Sequence, residues 1–239
     1  MASLPKALLL DLDDTLLDFD SGADGCWQAA CQQYLSALPG VSVEQFLTAI
    51  ETHRQWYWGD PERHRRGRLN LDVARQEVVA GALQRLGLDI PEVANQIAQT
   101  YIELREAGLR LFPDSLETLR RLRTLGIKMA LITNGWAEGQ RRKVERFGLT
   151  PLFDCILIEG EFGIGKPDER VYFHALEQLG VTPSEAWMVG DNLEWEVAAP
   201  QRLGMKGIWY DVKGHGLPPS SPVRPDRIIS RLADLLEGP

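Results

Sequence analysis

The sequence predicts an α/β protein: a parallel sheet assembled from βαβ units, with an all-helical insertion after its first strand. Three observations carry this. From about residue 106 onward, short apolar runs alternate with helical repeats, the pattern of strands joined by crossover helices. A further apolar run, 7–12, stands alone near the start of the chain. The stretch 19–105 between them has helical periodicity and no convincing strand, so the first strand belongs with the residues that follow the insertion.

Residues 7–12 read as a buried strand, because Leu8, Leu9 and Leu10 form an unbroken apolar run. In the insertion, Trp27, Ala30, Cys31, Tyr34, Leu35 and Leu38 recur at helical spacing until Pro39-Gly40. Ser42 is a candidate N-cap for a helix over 43–56, with Glu44 and Gln45 in its first turn. The run Trp56-Tyr57-Trp58-Gly59-Asp60-Pro61 reads as a break. Helices follow over 71–86, closed by Gly87, and over 92–104. In the second half, helices are predicted over 114–125, 140–147, 168–179 and 197–203. Strands are predicted over 128–133, 153–158, 186–189 and 207–210. Ile228-Ile229 precedes a short C-terminal helix, and 214–225, rich in Gly, Pro and Ser, reads as a loop.

Composition narrows the function. The chain has 239 residues, 44% hydrophobic and 25% charged, a balance that supports a sizeable core. A net charge of −8 argues against a general nucleic-acid surface. Cys26, Cys31 and Cys155 form no metal or disulfide spacing, and His53, His64, His174 and His215 form no zinc spacing. The opening Met1–Lys6 is too short for a signal n-region, and no run approaches the ~18 apolar residues of a membrane helix. The expectation is a soluble cytoplasmic protein, monomer or homodimer, with no membrane or nucleic-acid partner.

In open parallel sheets, ligands bind beyond the carboxyl ends of the strands. The first strand ends in Asp11-Leu12-Asp13, the second in Thr133-Asn134-Gly135 and the fourth in Gly190-Asp191-Asn192-Leu193-Glu194-Trp195-Glu196, while Gly165-Lys166-Pro167 follows the third. Strand alternation would put Asp11 and Asp13 on one side and Leu12 on the other. Two carboxylates at the end of a buried strand repel each other unless a cation or a proton intervenes. The same edge collects a hydroxyl, a lysine and glycine turns, an inventory that suits an anion beside a hard cation such as Mg²⁺. Taken singly, each piece is an ordinary turn, surface lysine or helix cap.

Together, these motifs resemble the haloacid dehalogenase-like (HAD) hydrolase superfamily over nearly the whole chain. Its first motif, Asp-x-Asp-x-Thr, is matched by Asp11, Asp13 and Thr15. Its second is matched by the strand ending in Thr133, its third by Lys166, and its acidic fourth by Asp191 and, imperfectly, Glu196. The resemblance implies a doubly wound parallel-sheet (Rossmann-like) α/β core, 1–18 and 106–239, with an inserted all-helical cap domain of the C1 type, 19–105. Asp13 at the second position of the first motif points to the family's phosphatases, not its dehalogenases.

Carried over, Asp11 is the nucleophile that forms an aspartyl-phosphate, and Asp13 is the acid and base. Thr133, the Asn134 backbone and Lys166 hold phosphoryl oxygens. The implied metal set for Mg²⁺ is Asp11, the Asp13 carbonyl, Asp191 and Glu196, the last one methylene longer than the usual Asp, with Asn192 ordering metal waters. The expected activity is hydrolysis of a small phosphorylated sugar, sugar acid or nucleotide monophosphate. The cap would close over the site and select the leaving group, and its stretch Trp56, Tyr57, Trp58, Arg63, His64, Arg65, Arg66 and Arg68 would either contact substrate or form a solvated helix face. The subgroup resembled most includes N-acylneuraminate-9-phosphatase-like and nucleotidase-like members. The alternatives are a phosphomutase of the same fold and a non-catalytic binding protein that retained it.

Overall fold

The computed structural model of the chain describes residues 4–237. The chain divides into two compact units, one running to Asp18 and resuming at Arg110, the other Phe19–Leu109.

The first unit is an open six-stranded sheet. Its strands are β1 (Ala7–Leu10), β4 (Lys128–Thr133), β5 (Cys155–Ile158), β6 (Ala186–Gly190), β7 (Lys206–Tyr210) and β8 (Arg227–Ile229), while β2 (Leu17–Asp18) and β3 (Arg110–Leu111) form a separate antiparallel ribbon. All neighbours are parallel, and the order is β5-β4-β1-β6-β7-β8. The strands read as continuous apolar runs because both faces are covered. Ala7, Leu9, Ala130, Ile132, Ala186 and Met188 pack in one cluster with Val171, Tyr172 and Leu176. Leu8, Leu10, Met129 and Leu131, which alternate with them, are equally buried.

Helices α6 (Ser115–Thr124), α7 (Ala137–Arg146), α8 (Glu159–Phe162), α9 (Glu169–Leu179) and α10 (Ala199–Arg202) connect the strands. Asp168 caps α9 by accepting from the Arg170 amide, and Gly180, at φ 62°, ends it. The sequence pattern places α7 three residues late and misses the two-residue strands β2 (Leu17–Asp18) and β3 (Arg110–Leu111), which are too short for periodicity. Strand β5 begins at Cys155, two residues later than expected, because Asp154 turns its carboxylate to the Met129 amide. The expected helix over 197–203 is instead a π-helical turn, Leu193–Ala198, followed by α10, with Pro200 near the α10 N-terminus. Such π turns concentrate at functional sites.

The second unit contains no strand among the described residues. It consists of α1 (Ala23–Tyr34), α2 (Val43–Trp58), α3 (Pro61–Leu69), α4 (Leu71–Arg85) and α5 (Pro91–Gly108). Ser42 and Gln45 form a reciprocal capping box at the start of α2. The break expected at 56–61 narrows to Gly59-Asp60, where Asp60 caps α3 with Pro61 in its first turn. Phe46, Ile50, Val78, Val79, Leu83 and Ile97 are among its core residues. Helix α5 runs past the boundary expected at residue 105.

A Cβ at Gly207 on β7 would lie 2.6 Å from the Val197 Cα, so the strand and the π turn touch backbone to backbone. Gly207→Ala is expected to cost about 1–3 kcal/mol through overpacking, read as a fall in the thermal midpoint; an unchanged midpoint would show that the π turn yields freely.

Candidate active site

The strand order reverses on either side of β1, with β4 on one flank and β6 on the other. The carboxyl ends of these three strands therefore form the crevice where open sheets bind ligands. Strand β1 stops at Leu10, before either aspartate, so strand alternation does not by itself orient them. Instead, Asp11 donates its amide to the Val189 carbonyl, and a tight turn follows. Asp14 adopts φ 59° in that turn, and the Leu16 and Leu17 amides both return to the Leu12 carbonyl. Aspartate is among the few side chains that tolerate the left-handed region.

Lys166 lies at the centre, 1% exposed. Its Nζ is 2.6 Å from Asp11 Oδ1 and 2.7 Å from Glu196 Oε1. The side-chain amide of Asn134 clamps the Lys166 backbone, donating to its carbonyl at 2.7 Å and accepting from its amide at 2.8 Å. Gly165 makes this possible: a Cβ there would sit 2.6 Å from both Asn134 Oδ1 and Glu159 Cδ. Thr15 donates to Asp11 Oδ2 at 3.1 Å.

Asp13 is held from another direction. Lys143 Nζ lies 2.8 Å from both its carboxylate oxygens, and Gln140 Nε2 donates to it at 2.9 Å. Gln140 also reaches Thr133 Oγ1 and the Asn134 carbonyl. Gln140, Lys143 and Glu159, which receives the Gly135 amide at 3.0 Å, were not anticipated from sequence. A signal existed for the first two: they are three residues apart on one helix, hence on one face, directly after the Thr133 strand.

Glu196 is 1% exposed and both its oxygens are engaged, one by Lys166 and the other by the Asn192 amide at 2.8 Å. Gly190 accommodates it, since a Cβ there would fall 2.2 Å from Glu196 Cγ. The Asn192 side chain caps the π turn, its Oδ1 accepting from the Glu194 and Trp195 amides at 3.0 Å. Trp209 donates its indole N–H to the Asp191 carbonyl at 2.7 Å.

Electrostatics follow from this packing. Burial opposes charge on Lys166, but Asp11 and Glu196 outweigh it and hold the ammonium above its ordinary pKa. Burial raises Asp11 against the pull of Lys166. Asp191 is pushed up to about 8, by burial first and then by Asp11, Glu196 and Asp14. Glu196 is pushed up to about 7, again by burial, with Lys166 pulling it down. One lysine does not neutralise this carboxylate group. No set of three His, Cys, Asp or Glu side chains among the described residues is spaced to hold a metal by itself. A hard cation such as Mg²⁺ does not require one, because it binds through one or two carboxylates and keeps its waters. Asp11, Asp191 and the Asp13 carbonyl are oxygen donors of that kind.

The basic-aromatic stretch of the helical unit is largely committed to its own fold. Arg63 stacks on Trp56 at 3.8 Å and donates to the Trp56 carbonyl at 2.7 Å. Arg66 pairs with Glu77 at 3.2 Å, Arg68 meets His64 Nδ1, and Tyr57 is 2% exposed.

Raised carboxyl pKa values fix the sign of a pH effect. The folded protein retains protons that the unfolded chain has already released, so this stabilisation is complete below the ordinary carboxylate range and is lost as pH rises to about 8. Thermal midpoints in EDTA are expected to fall from pH 5 to pH 8, and Asp191→Asn to flatten the slope. A midpoint that climbs over this interval in the parent would contradict the electrostatic reading.

Residues 5–204 match the family model described as haloacid dehalogenase-like hydrolase. The chain is 34% identical to a phosphoserine phosphatase of Thermus thermophilus, with 97% of each chain covered. Among solved structures, it resembles the HAD hydrolase YfnB of Bacillus subtilis, bound to magnesium, with a TM-score of 0.73 at 20% identity, covering 98% of each chain. It also resembles a 2-haloacid dehalogenase of Pseudomonas syringae pv. Tomato, with a TM-score of 0.64 at 30% identity, covering 98% of this chain and 97% of the other. No described helix is long and apolar enough to cross a membrane. The sheet order, the motif residues at its strand ends and a family match over most of the length agree: the chain belongs to the haloacid dehalogenase-like hydrolase family.

Proposed function

We propose that this protein is a Mg²⁺-dependent phosphatase that hydrolyses a small phosphorylated metabolite through an aspartyl-phosphate. The observation that carries the reading is Asp13, an acid at the second position of the first motif, held 2.8 Å from Lys143 beside a buried Asp11–Lys166 pair. A dehalogenase of this fold has no leaving alcohol to protonate and no use for that acid. The phosphatase relative of Thermus supports the choice.

Asp11 Oδ attacks phosphorus, forming an O–P bond as the bond to the leaving oxygen breaks. Asp13 gives its proton to that oxygen, then takes one from the water that attacks the aspartyl-phosphate and frees inorganic phosphate. Lys166, Thr133 and backbone amides at Asn134 stabilise the phosphoryl oxygens. Mg²⁺, held by Asp11, Asp191 and the Asp13 carbonyl, would neutralise phosphate charge when bound. Glu196 is read as the partner that positions Lys166, because its oxygens face Lys166 and the Asn192 amide. Lys143 and Gln140 orient Asp13. The phosphomutase alternative has no observation of its own in its favour.

Phosphate release from a panel of phosphomonoesters is expected with Mg²⁺ and not with EDTA, and is expected to vanish in Asp11→Asn. Transfer of label between positions of a sugar phosphate, without release, would favour a mutase; neither reaction with any metal would remove the catalytic reading. Lys143→Met is expected to slow kcat by about tenfold or more with a smaller change in KM, through loss of a positioned acid. An unchanged kcat would assign Lys143 to stability alone.

A further inference from the structure

The helical unit carries a cavity of its own. Its volume is about 140 Å³, roughly ten times what a single water needs. Every residue of its wall belongs to the Phe19–Leu109 unit. Three guanidiniums line it, those of Arg54, Arg75 and Arg105, against one carboxylate, Asp20. The wall itself is net positive, while the carboxylates that pair with two of its arginines lie just outside it.

Each arginine is held by protein contacts. Arg54 pairs with Glu51 at 3.1 Å and Asp24 at 3.9 Å. Arg75 pairs with Asp72 at 3.3 Å and lies over the Tyr101 ring. Arg105 lies over the Phe19 ring at 4.8 Å and is 9% exposed. Burial holds Arg75 below its ordinary pKa against the pull of Tyr101 and Asp72.

Two donors in this wall stand out. Trp27 Nε1 and Arg105 Nε are the buried side-chain nitrogens with no hydrogen-bond partner among the described residues. Such atoms are rare in folded proteins, because a buried donor without a partner has given up its water and gained no bond in return. Both belong to residues that line the same cavity. Trp27 is also fixed in place: its ring stacks on Tyr101 with centroids 3.6 Å apart and planes 12° from parallel. Planar guanidiniums recognise carboxylate and phosphate oxygens with paired N–H groups, and the aromatic walls suit a flat apolar body.

We propose that this cavity is a binding site for a small organic oxyanion, a carboxylate or phosphate carried on a flat apolar body, with Arg54, Arg75 and Arg105 receiving the charge and Trp27 Nε1 donating to it. The anion completes the donors the fold leaves unpaired. It is supplied either by the organic part of the substrate or by a separate ligand.

The test uses the full chain, with benzoate and phenylphosphonate as probes and benzamide as the neutral control. The readout is the Trp27 indole N–H resonance, assigned from its loss in Trp27→Phe. At least one anionic probe is expected to shift it saturably, with benzamide inactive. Calorimetric affinity for that probe is expected to weaken about tenfold in Trp27→Phe, a variant that keeps the ring stack, and to weaken likewise in Arg105→Lys. If neither probe moves the resonance, or benzamide moves it equally, the site does not exist as described. The source of the anion is read from phosphate release, as the ratio of kcat/KM for 4-carboxyphenyl phosphate over phenyl phosphate. A ratio that falls in Trp27→Phe assigns the anion to the substrate; a constant ratio alongside weakened probe binding assigns it to a separate ligand. The binding readout does not depend on phosphatase activity, so failure of one reading is visible apart from failure of the other.

Discussion

The site is built around one buried ammonium. Lys166 Nζ sits between Asp11 and Glu196, within 2.7 Å of both and nearly without solvent. A lone buried charge of this kind would carry a large desolvation penalty. Here the penalty is offset by two carboxylates that would otherwise repel each other, while the Asn134 clamp fixes the lysine backbone in place. Four strands lead into these parts, β1 into Asp11, β4 into Asn134, β5 into the segment that carries Lys166 and β6 into Glu196, so the geometry exists only when β5, β4, β1 and β6 are side by side. The sheet order and the charge arrangement are one constraint seen at two scales.

The same arrangement accommodates a Glu where the family pattern has Asp. The extra methylene would have nowhere to go if position 190 carried a side chain. Gly190 removes that obstacle, and the π turn Leu193–Ala198 brings Glu196 round to the lysine and the Asn192 amide. Gly207 and Val197, touching backbone to backbone, hold the turn against β7.

Much of this was legible beforehand, for physical reasons. Strands buried on both faces announce themselves as apolar runs, and residues 128–133 and 186–189 are clear examples. Asp11, Asp13, Thr133, Lys166 and Asp191 were legible as strand-end chemistry, because a parallel sheet gathers its carboxyl ends on one edge. The pairing of Asp13 with Lys143 and Gln140 was not, because nothing local distinguishes a helix-face lysine that meets a carboxylate from one that meets water. The helix Pro61–Leu69 was hidden by its arginines, whose apolar periodicity is negligible; it is set by the Asp60 cap and the cost of leaving first-turn amides unpaired. The two-residue ribbon had no periodicity to read.

That ribbon has a consequence for how such a chain is assembled. Leu17 pairs with Leu111 and Asp18 with Arg110, and the last pair is tied by an ion pair at 2.5 Å. The helical insertion therefore leaves and re-enters the sheet unit at two adjacent points, like a word placed between brackets. What lies between them can lengthen, shorten or be exchanged without moving a strand of the sheet. A lineage can redesign one bracketed module while the lysine-centred site of the sheet unit stays as it is.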